Sequence, residues 1–493
     1  MKKFIFFLSL LMFSYTTFSQ KWYKKARAYT GVGLVVGSDS LAPFLIRSNQ
    51  YGTLLNTSNS LYFNSGIKKQ YDSLYTLNKK LKKFDYGYGI EGHVNIGRTQ
   101  DFRLPEAYAK IRYGIFELYG GRRREIQGLV DTLGTMGSYI WSGNALPLPK
   151  LEVSIANYTP IIGRGLISIK GNFAHGWFGD ADSVKNYWLH QKSFYARVGR
   201  PSWKVKFYGG FNHQVQWGGR PAKPFYDPIS NQTISKFGSD FATFVKVATG
   251  VSLASGANDW TNQTGVAANE AGNRSGNHLG TVDVGMEIYL AKAKIFIYRQ
   301  SIYEDGSLYY LTNISDGLNG VSIKLNDSKI FKKICVEYLN TTSQGGNLFS
   351  DVVSELRGVD NYFNNSLYKD AWTYKGMVLG SPFMQTKNNY YKRIGLNYVD
   401  LSKNMFFNNR VRVFKIGFDY QLSNSIFISK IYFTENNGSF LTPLRFLNNQ
   451  VSFSQRIQFD LFKNIVSINI ASDLNNNLFK NNIGANLSVK KVF

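Results

Sequence analysis

The chain closes on Asn482-Ile483-Gly484-Ala485-Asn486-Leu487-Ser488-Val489-Lys490-Lys491-Val492-Phe493. Counted back by twos from Phe493, this stretch gives Lys491, Val489, Leu487, Ala485 and Ile483, a largely apolar stripe. Asn486, Ser488 and Lys490 stand on the other face. A period of two marks a strand whose faces meet different surroundings. A strand that is apolar on one side and ends on a C-terminal aromatic resembles the signature by which barrel-insertion machinery takes up outer-membrane barrels. Lys491 departs from an all-apolar stripe, but near the end of a strand a lysine can carry its ammonium to the membrane interface.

The same alternation recurs upstream to about Gly87. Ala107, Ala109, Ile111 and Tyr113 alternate with Tyr108, Lys110 and Arg112, and Leu151, Val153 and Ile155 with Glu152 and Ser154. Ile167, Ile169, Gly171 and Phe173 oppose Ser168, Lys170 and Asn172, and Trp203, Val205 and Phe207 oppose Lys204, Lys206 and Tyr208. Val282 to Leu290 and Phe414 to Leu422 repeat the pattern, with the charged set always on one side. Strands of soluble sandwiches average about 5 to 6 residues, whereas many of these runs reach eight to ten. That length suits tilted membrane strands, so the fold class is all-β, a large transmembrane antiparallel barrel.

Composition agrees. Aromatic residues make up 16% of the chain while mean hydropathy is only -0.24, so apolar side chains are abundant without forming long runs. Residues 1–20 read as a secretory signal: Lys2 and Lys3, an apolar core from Phe4 to Phe13, and Thr17-Phe18-Ser19 as a small-x-small cleavage site. Residues 21–493 then form a single barrel domain, expected in the outer membrane, with Gly- and Asn-rich stretches such as Ala254 to His278 and Asn340 to Tyr362 as long outward loops. Tyr71 to Lys83 and Gly121 to Ser142 fit strands poorly and read as long loops or a short helical plug. Formal net charge is +26, and loss of Lys2 and Lys3 with the signal leaves +24. After export that charge points to anionic lipid head groups, lipopolysaccharide and acidic polysaccharide as neighbours, and away from nucleic acid.

No catalytic set stands out. His93, His175, His190, His213 and His278 are scattered singly, with no H-E-x-x-H or other paired-ligand spacing, and no glycine pair is followed by G-K-[ST]. The single cysteine, Cys335, allows no internal disulfide and reads as a packed thiol. Asp316 and Glu337 would serve a glycosidase only at about 5 to 9.5 Å, a distance that sequence does not supply. The chain therefore reads as a non-enzyme without metal or cofactor.

Several ordered blocks carry a family resemblance. They are Pro43-Phe44 with Asn49-Gln50 and Gly52, Tyr86-Gly87-Tyr88-Gly89, Pro105-Glu106-Ala107-Tyr108 and Gly120-Gly121-Arg122-Arg123. Trp141-Ser142-Gly143-Asn144-Ala145-Leu146-Pro147-Leu148-Pro149 and Gly163-Arg164-Gly165 come next. Arg299-Gln300-Ser301, Glu304-Asp305-Gly306, Asp316-Gly317-Leu318 and Glu337-Tyr338 through Thr341 to Gln344 follow. Asn361-Tyr362-Phe363-Asn364-Asn365 with Tyr368, Trp372-Thr373-Tyr374 and Gly380-Ser381-Pro382-Phe383 complete the series. In order and spacing they resemble the capsule assembly protein Wzi family, in the form seen in Bacteroidetes-type bacteria. The resemblance implies a barrel of about 18 strands, a helical plug at the periplasmic end, loops closing the outer mouth, and a lectin-like role that organises surface polysaccharide without cleaving it. A porin-like channel is the alternative that the barrel alone would allow.

For binding an acidic glycan the fitting side chains are aromatic faces for sugar rings and Arg forks for carboxylates. Arg122, Arg123, Trp141, Arg164, Trp177, Tyr362 and Trp372 are the candidates. Asp316, Gly317, Asn364 and Pro382 are read instead as fixing turn geometry.

Overall fold

The computed structural model describes residues 25–72, 83–228, 231–251, 274–304, 308, 310–346, 358–387, 404–474 and 481–493. The predicted signal lies outside them, as does most of the Tyr71 to Lys83 stretch.

The wall begins with β1 (Arg27–Gly37), β2 (Ser60–Lys69), β3 (Phe84–Ile96), β4 (Gln100–Tyr113), β5 (Phe116–Arg122) and β6 (Lys150–Ile162). It continues with β7 (Ile167–Gly179), β8 (Tyr187–Val198), β9 (Val205–Trp217), β10 (Asn277–Tyr289), β11 (Ala293–Glu304) and β12 (Gly317–Leu325). The last strands are β13 (Phe331–Asn340), β14 (Val411–Leu422), β15 (Ser425–Gly438), β16 (Pro443–Leu461), β17 (Asn464–Leu474) and β18 (Asn482–Val492). Each pairs antiparallel with its neighbours in sequence, giving an 18-stranded sheet. β18 returns to β1, from Tyr29 opposite Val492 to Gly37 opposite Gly484, so the sheet closes and no edge is left unpaired.

Alternation has the expected meaning. Ile111, Val153, Phe173, Val284 and Phe414 are exposed on the outer wall, as are Ile483, Leu487 and Val489 of the terminal stripe. Lys491 lies on this stripe with its Nζ 5.3 Å from the ring centre of Phe493. Lys110, Glu152, Asp283, Glu337 and Lys415 point inward and are buried. Two strand limits differ from the periodicity: Trp203 precedes β9 and Leu290 follows β10, because both sit in turns joining strands.

β1 enters and β18 leaves at the same end of the barrel. At that end the turns are short, for example residues 114–115, 163–166, 423–424 and 462–463. The connections between residues 38–59, 123–149, 218–276 and 341–410 leave and rejoin the wall at the opposite end; residues 252–273 and 347–357, most of the two predicted outward loops, lie outside the described residues. In an outer-membrane barrel the long loops face outward and the short turns face the periplasm.

Candidate functional site

Parts of the long loops turn into the barrel rather than away from it. At the end of β5, Gly121 takes φ +119°, and a Cβ there would stand 2.1 Å from the Ala107 carbonyl oxygen. Only glycine fits so close an approach at that φ, and the chain then runs inward through residues 123–149. The Gly121 to Ser142 stretch, left open between loop and plug, is thus part of a plug built from loops. Helix α1 (Phe44–Arg47) supplies a single turn of it. The described occluding segments come from the loop-bearing end, while most of the Tyr71 to Lys83 stretch, the other plug candidate, lies outside the described residues.

The blocks that carried the resemblance converge on this plug. Tyr51 N–H donates to Gly143 O (2.7 Å), Asn144 Nδ2 to Val378 O (3.0 Å) and Ser142 Oγ to Gly380 O (2.6 Å). Ser381 N–H donates to Tyr139 O (2.8 Å), and Trp372 Nε1 to Ile140 O (2.8 Å). The rings of Trp141 and Trp372 meet edge to face at 6.1 Å, and Tyr139 stands 4.9 Å from Phe363. The loops around residues 49, 141 and 380 therefore form one body, with an aromatic core and paired backbone.

Wall residues anchor that body. The Glu337 carboxylate accepts from Thr135 Oγ1 (2.6 Å), Tyr298 Oη and the Met136 amide, and pairs with Lys415 at 3.2 Å with both side chains fully buried. Asp283 accepts from Leu129 N–H and Tyr195 Oη, each at 2.8 Å, and Gln300 Oε1 accepts from Tyr139 N–H (3.0 Å). Glu304 holds Phe363 N–H and Tyr139 Oη. Asp316 accepts from Gln344 N–H (2.7 Å), Ser343 N–H (3.0 Å) and Tyr362 Oη (2.9 Å), with burial raising its carboxyl above the usual range. Burial and the nearby Glu304 likewise raise the Tyr139 phenol far above its ordinary value. Asp316 and Glu337 thus serve separate structural networks, and Cys335 is buried 3.3 Å from Lys415 Nζ.

The candidate glycan contacts divide by position. Trp141, Tyr362 and Trp372 are 5%, 0% and 0% exposed, so their rings face the plug core and not the surface. Arg123 stacks 3.9 Å over Tyr119 and pairs with Glu117 at 2.5 Å on the inner wall. Arg164, at φ +55°, occupies a turn at the terminus-bearing end, opposite the loops.

Arg122 and Trp177 remain, and they line one cleft of about 530 Å³ at the loop-bearing mouth with Asp180, Asp182, Tyr374 and Lys375. Arg122 Nη2 donates to Tyr374 Oη at 2.8 Å and its guanidinium lies 5.6 Å from that ring centre. Burial raises the Tyr374 phenol, and Arg122 partly offsets this. Trp177, 44% exposed, edges the cleft from the outward face of β7 with its ring 5.1 Å from that of His175, and Asp180, Asp182 and Lys375 are exposed at the rim. The rim is pinned by Asp370, whose carboxylate accepts from Ser183 N–H (2.7 Å) and Asp182 N–H (3.2 Å). Acceptors and cations gathered at a cleft edged by aromatic side chains suit a hydroxylated, charged ring.

Histidines that stand apart in sequence meet in space. His175, His190, His213 and His278 share the outward face of β7 to β10, with His213 Nε2 3.0 Å from His278 Nδ1. Helix α2 (Phe241–Thr249) packs Val247 over Val215 and Trp217 there, and Lys192 Nζ donates to the Ala248 carbonyl near its C-terminus. Pairing of neighbouring strands brings these rings together, and no local spacing could have signalled it. No group of three or more His, Cys, Asp or Glu side chains among the described residues is placed to hold a metal.

A closed antiparallel barrel with an apolar outer band and a lumen stopped by its own loops defines the class: an occluded outer-membrane barrel. The chain belongs to the capsule assembly protein Wzi family, whose model matches residues 47–398. No curated protein sequence matches it. Among solved structures it is similar to Pseudomonas aeruginosa OpdL, at 7% identity and TM-score 0.44, covering 95% of this chain and 98% of that one. Pseudomonas aeruginosa OpdO is matched at 8% identity and TM-score 0.44, covering 95% and 97%. Likeness so remote carries no argument about function.

Proposed function

We propose that this barrel holds acidic surface polysaccharide at the outer leaflet, in the manner of a lectin and without cleaving it. The observation that carries the reading is the mouth cleft of Arg122, Trp177, Tyr374 and Lys375, which gathers two cations and the carboxylates of Asp180 and Asp182 at a rim edged by aromatic side chains. Its place among the outward loops puts it where a glycan chain would lie. The plug supports the reading over a porin-like channel, since Trp141, Trp372 and their partners fill the lumen that a solute would have to cross. A strongly basic chain favours an acidic glycan, by attraction that falls with salt.

The test is capsule retention. Deleting the gene should shift polysaccharide from the cells to the medium, and the wild-type chain should restore attachment. A chain carrying Arg122→Ala and Trp177→Ala should reach the membrane normally yet restore attachment poorly. Unchanged attachment on deletion would refute the reading.

A further inference from the structure

Behind the plug lies a second cavity, of about 230 Å³, on the side away from the mouth cleft. Its wall is made by Lys430 and Tyr432 of β15, Ser454 and Arg456 of β16 and Asn469 of β17; the plug contributes Asn49, Gln50 and Tyr51. Register puts these wall residues on one inward face: Lys430 stands opposite Ser454, and Arg456 opposite Asn469. Lys430 and Arg456 are therefore diagonal neighbours on adjacent strands, with about 7–8 Å between them.

Other inner-wall cations have partners, either an acid or, as at Lys110, Arg197 and Lys206, a tyrosine ring. Lys415 pairs with Glu337 at 3.2 Å, Lys333 with Asp419 at 3.2 Å and Lys150 with Glu152 at 2.9 Å. Lys430 and Arg456 have no ion-pair or hydrogen-bond partner among the described residues; Lys415 repels Lys430, and the acids near it, Asp419 and Glu337, are already paired with Lys333 and Lys415. Two half-buried cations facing one small cavity without an acid favour an anion between them. The remaining lining is neutral: amides at Asn49, Gln50 and Asn469, a hydroxyl at Ser454 and phenol rings at Tyr51 and Tyr432. Such a set answers the hydroxyls and ring face of a sugar as well as its charge.

We infer that this cavity is a subsite for a single hexuronate unit, its carboxylate held by Lys430 and Arg456 and its ring against Tyr432 and Tyr51. The volume is below the range of about 300–1,000 Å³ typical of pockets for larger ligands, so one sugar unit is the limit. Entry is from the terminus-bearing end, where the described turns are short and Leu133, also on the cavity lining, stands 85% exposed. The inference rests on the reading of the protein as an acidic-glycan binder, but places a second contact on its periplasmic side.

The test is titration calorimetry on the full chain in detergent with glucuronate, glucose and inorganic phosphate. Glucuronate should bind at least tenfold more tightly than glucose or phosphate. The pair Lys430→Met and Arg456→Met should weaken it tenfold or more, and the charge-keeping pair Lys430→Arg and Arg456→Lys should retain most of it, both with unchanged heat-modifiable migration. If the methionine pair fails to fold, suppression of wild-type glucuronate binding by salt, with no such effect on glucose, serves in its place. No preference for glucuronate over glucose, equal binding of phosphate, or binding indifferent to Lys430 and Arg456 would overturn the subsite. Polysaccharide retention by cells carrying Arg122→Ala reads the mouth cleft alone, so failure of one proposal is seen apart from failure of the other.

Discussion

The two ends of the lumen differ in how completely their charges are committed. Toward the loops, charged and polar side chains are committed: Glu337 to Lys415, Thr135 and Tyr298, Asp283 to Leu129 and Tyr195, and Asp316 to Gln344 and Tyr362. Toward the termini wall charges are also paired, Lys333 with Asp419 and Lys69 with Asp85, but Lys430 and Arg456 face open space and Leu133 of the plug stands in solvent. A buried polar network stabilises only when each member is satisfied. The loop-bearing half therefore behaves as a folded core, whereas the other half keeps open space in front of Lys430 and Arg456. The difference teaches that occlusion is a property of the plug's bonds to the wall and not of the barrel itself.

The largest effect should come from breaking the most buried of those bonds. Glu337→Ala leaves Lys415 charged and unpaired where both side chains have no exposure. Removing one partner of a buried pair costs about 3–5 kcal/mol. The barrel wall, held by its closed ladder, should persist while the plug loosens. Planar bilayers should then record conductance steps from the variant and silence from the wild type; a variant as silent as the wild type would mean that the plug does not depend on Glu337.

Gly380→Val should act next, by overpacking. A Cβ at Gly380 would come within 2.3 Å of the Tyr139 carbonyl oxygen and 2.4 Å of the Phe363 ring. Such insertions cost about 1–3 kcal/mol. The expected outcome is faster amide exchange in residues 139–142 and 379–381 than in the wall strands. Equal exchange in both places would show that the plug and wall unfold as one unit.

How much of this was legible in the sequence follows from the same contrast. The wall obeys a period of two because one face meets lipid and the other the lumen, so Phe414 to Leu422 or Ile483 to Val489 announce their strands and facing directly. The plug has no period. Its segments are ordered by partners far along the chain, as Tyr139 is by Gln300, Glu304 and Phe363. Only the resemblance, through Trp141 to Pro149 and Gly380 to Phe383, marked them, and it could not tell packing from binding. In sequence Trp141, Tyr362 and Trp372 therefore read as glycan contacts just as Arg122 and Trp177 do, because aromatic type alone does not distinguish a buried ring from an open one. Arg164 lies at the other end because parity along strands, not motif order, decides the end at which a turn falls.

A smaller effect is expected from acid, acting through Asp131 in the plug. Burial opposes ionisation of its carboxyl, but the Ser322 hydroxyl, the Lys333 charge and the Leu133 amide together hold it below the usual carboxylate range. A depressed folded value means that its stabilising contribution is present above about pH 4 and is lost as pH falls through the folded value. Wild-type plug exchange should accelerate in that window. Asp131→Asn should lose about 1.5 kcal/mol at neutral pH and show a flatter acid response; an unchanged acid response would assign the effect to another carboxylate.

The smallest effect tests the open side of the comparison. Leu133 is an apolar residue on the plug and, by composition alone, a candidate for its core, yet it is 85% exposed at the turn between Asp131 and Thr135. If the terminus-bearing half is water-filled, Leu133→Ser removes no packing and should change stability by no more than about 0.5 kcal/mol, with conductance still silent. If instead that half were packed, the same substitution would leave a cavity costing about 2–5 kcal/mol and should open the barrel as Glu337→Ala does. The two substitutions lie on or against the same loop, so their ratio measures where along the lumen the core ends and the open space begins.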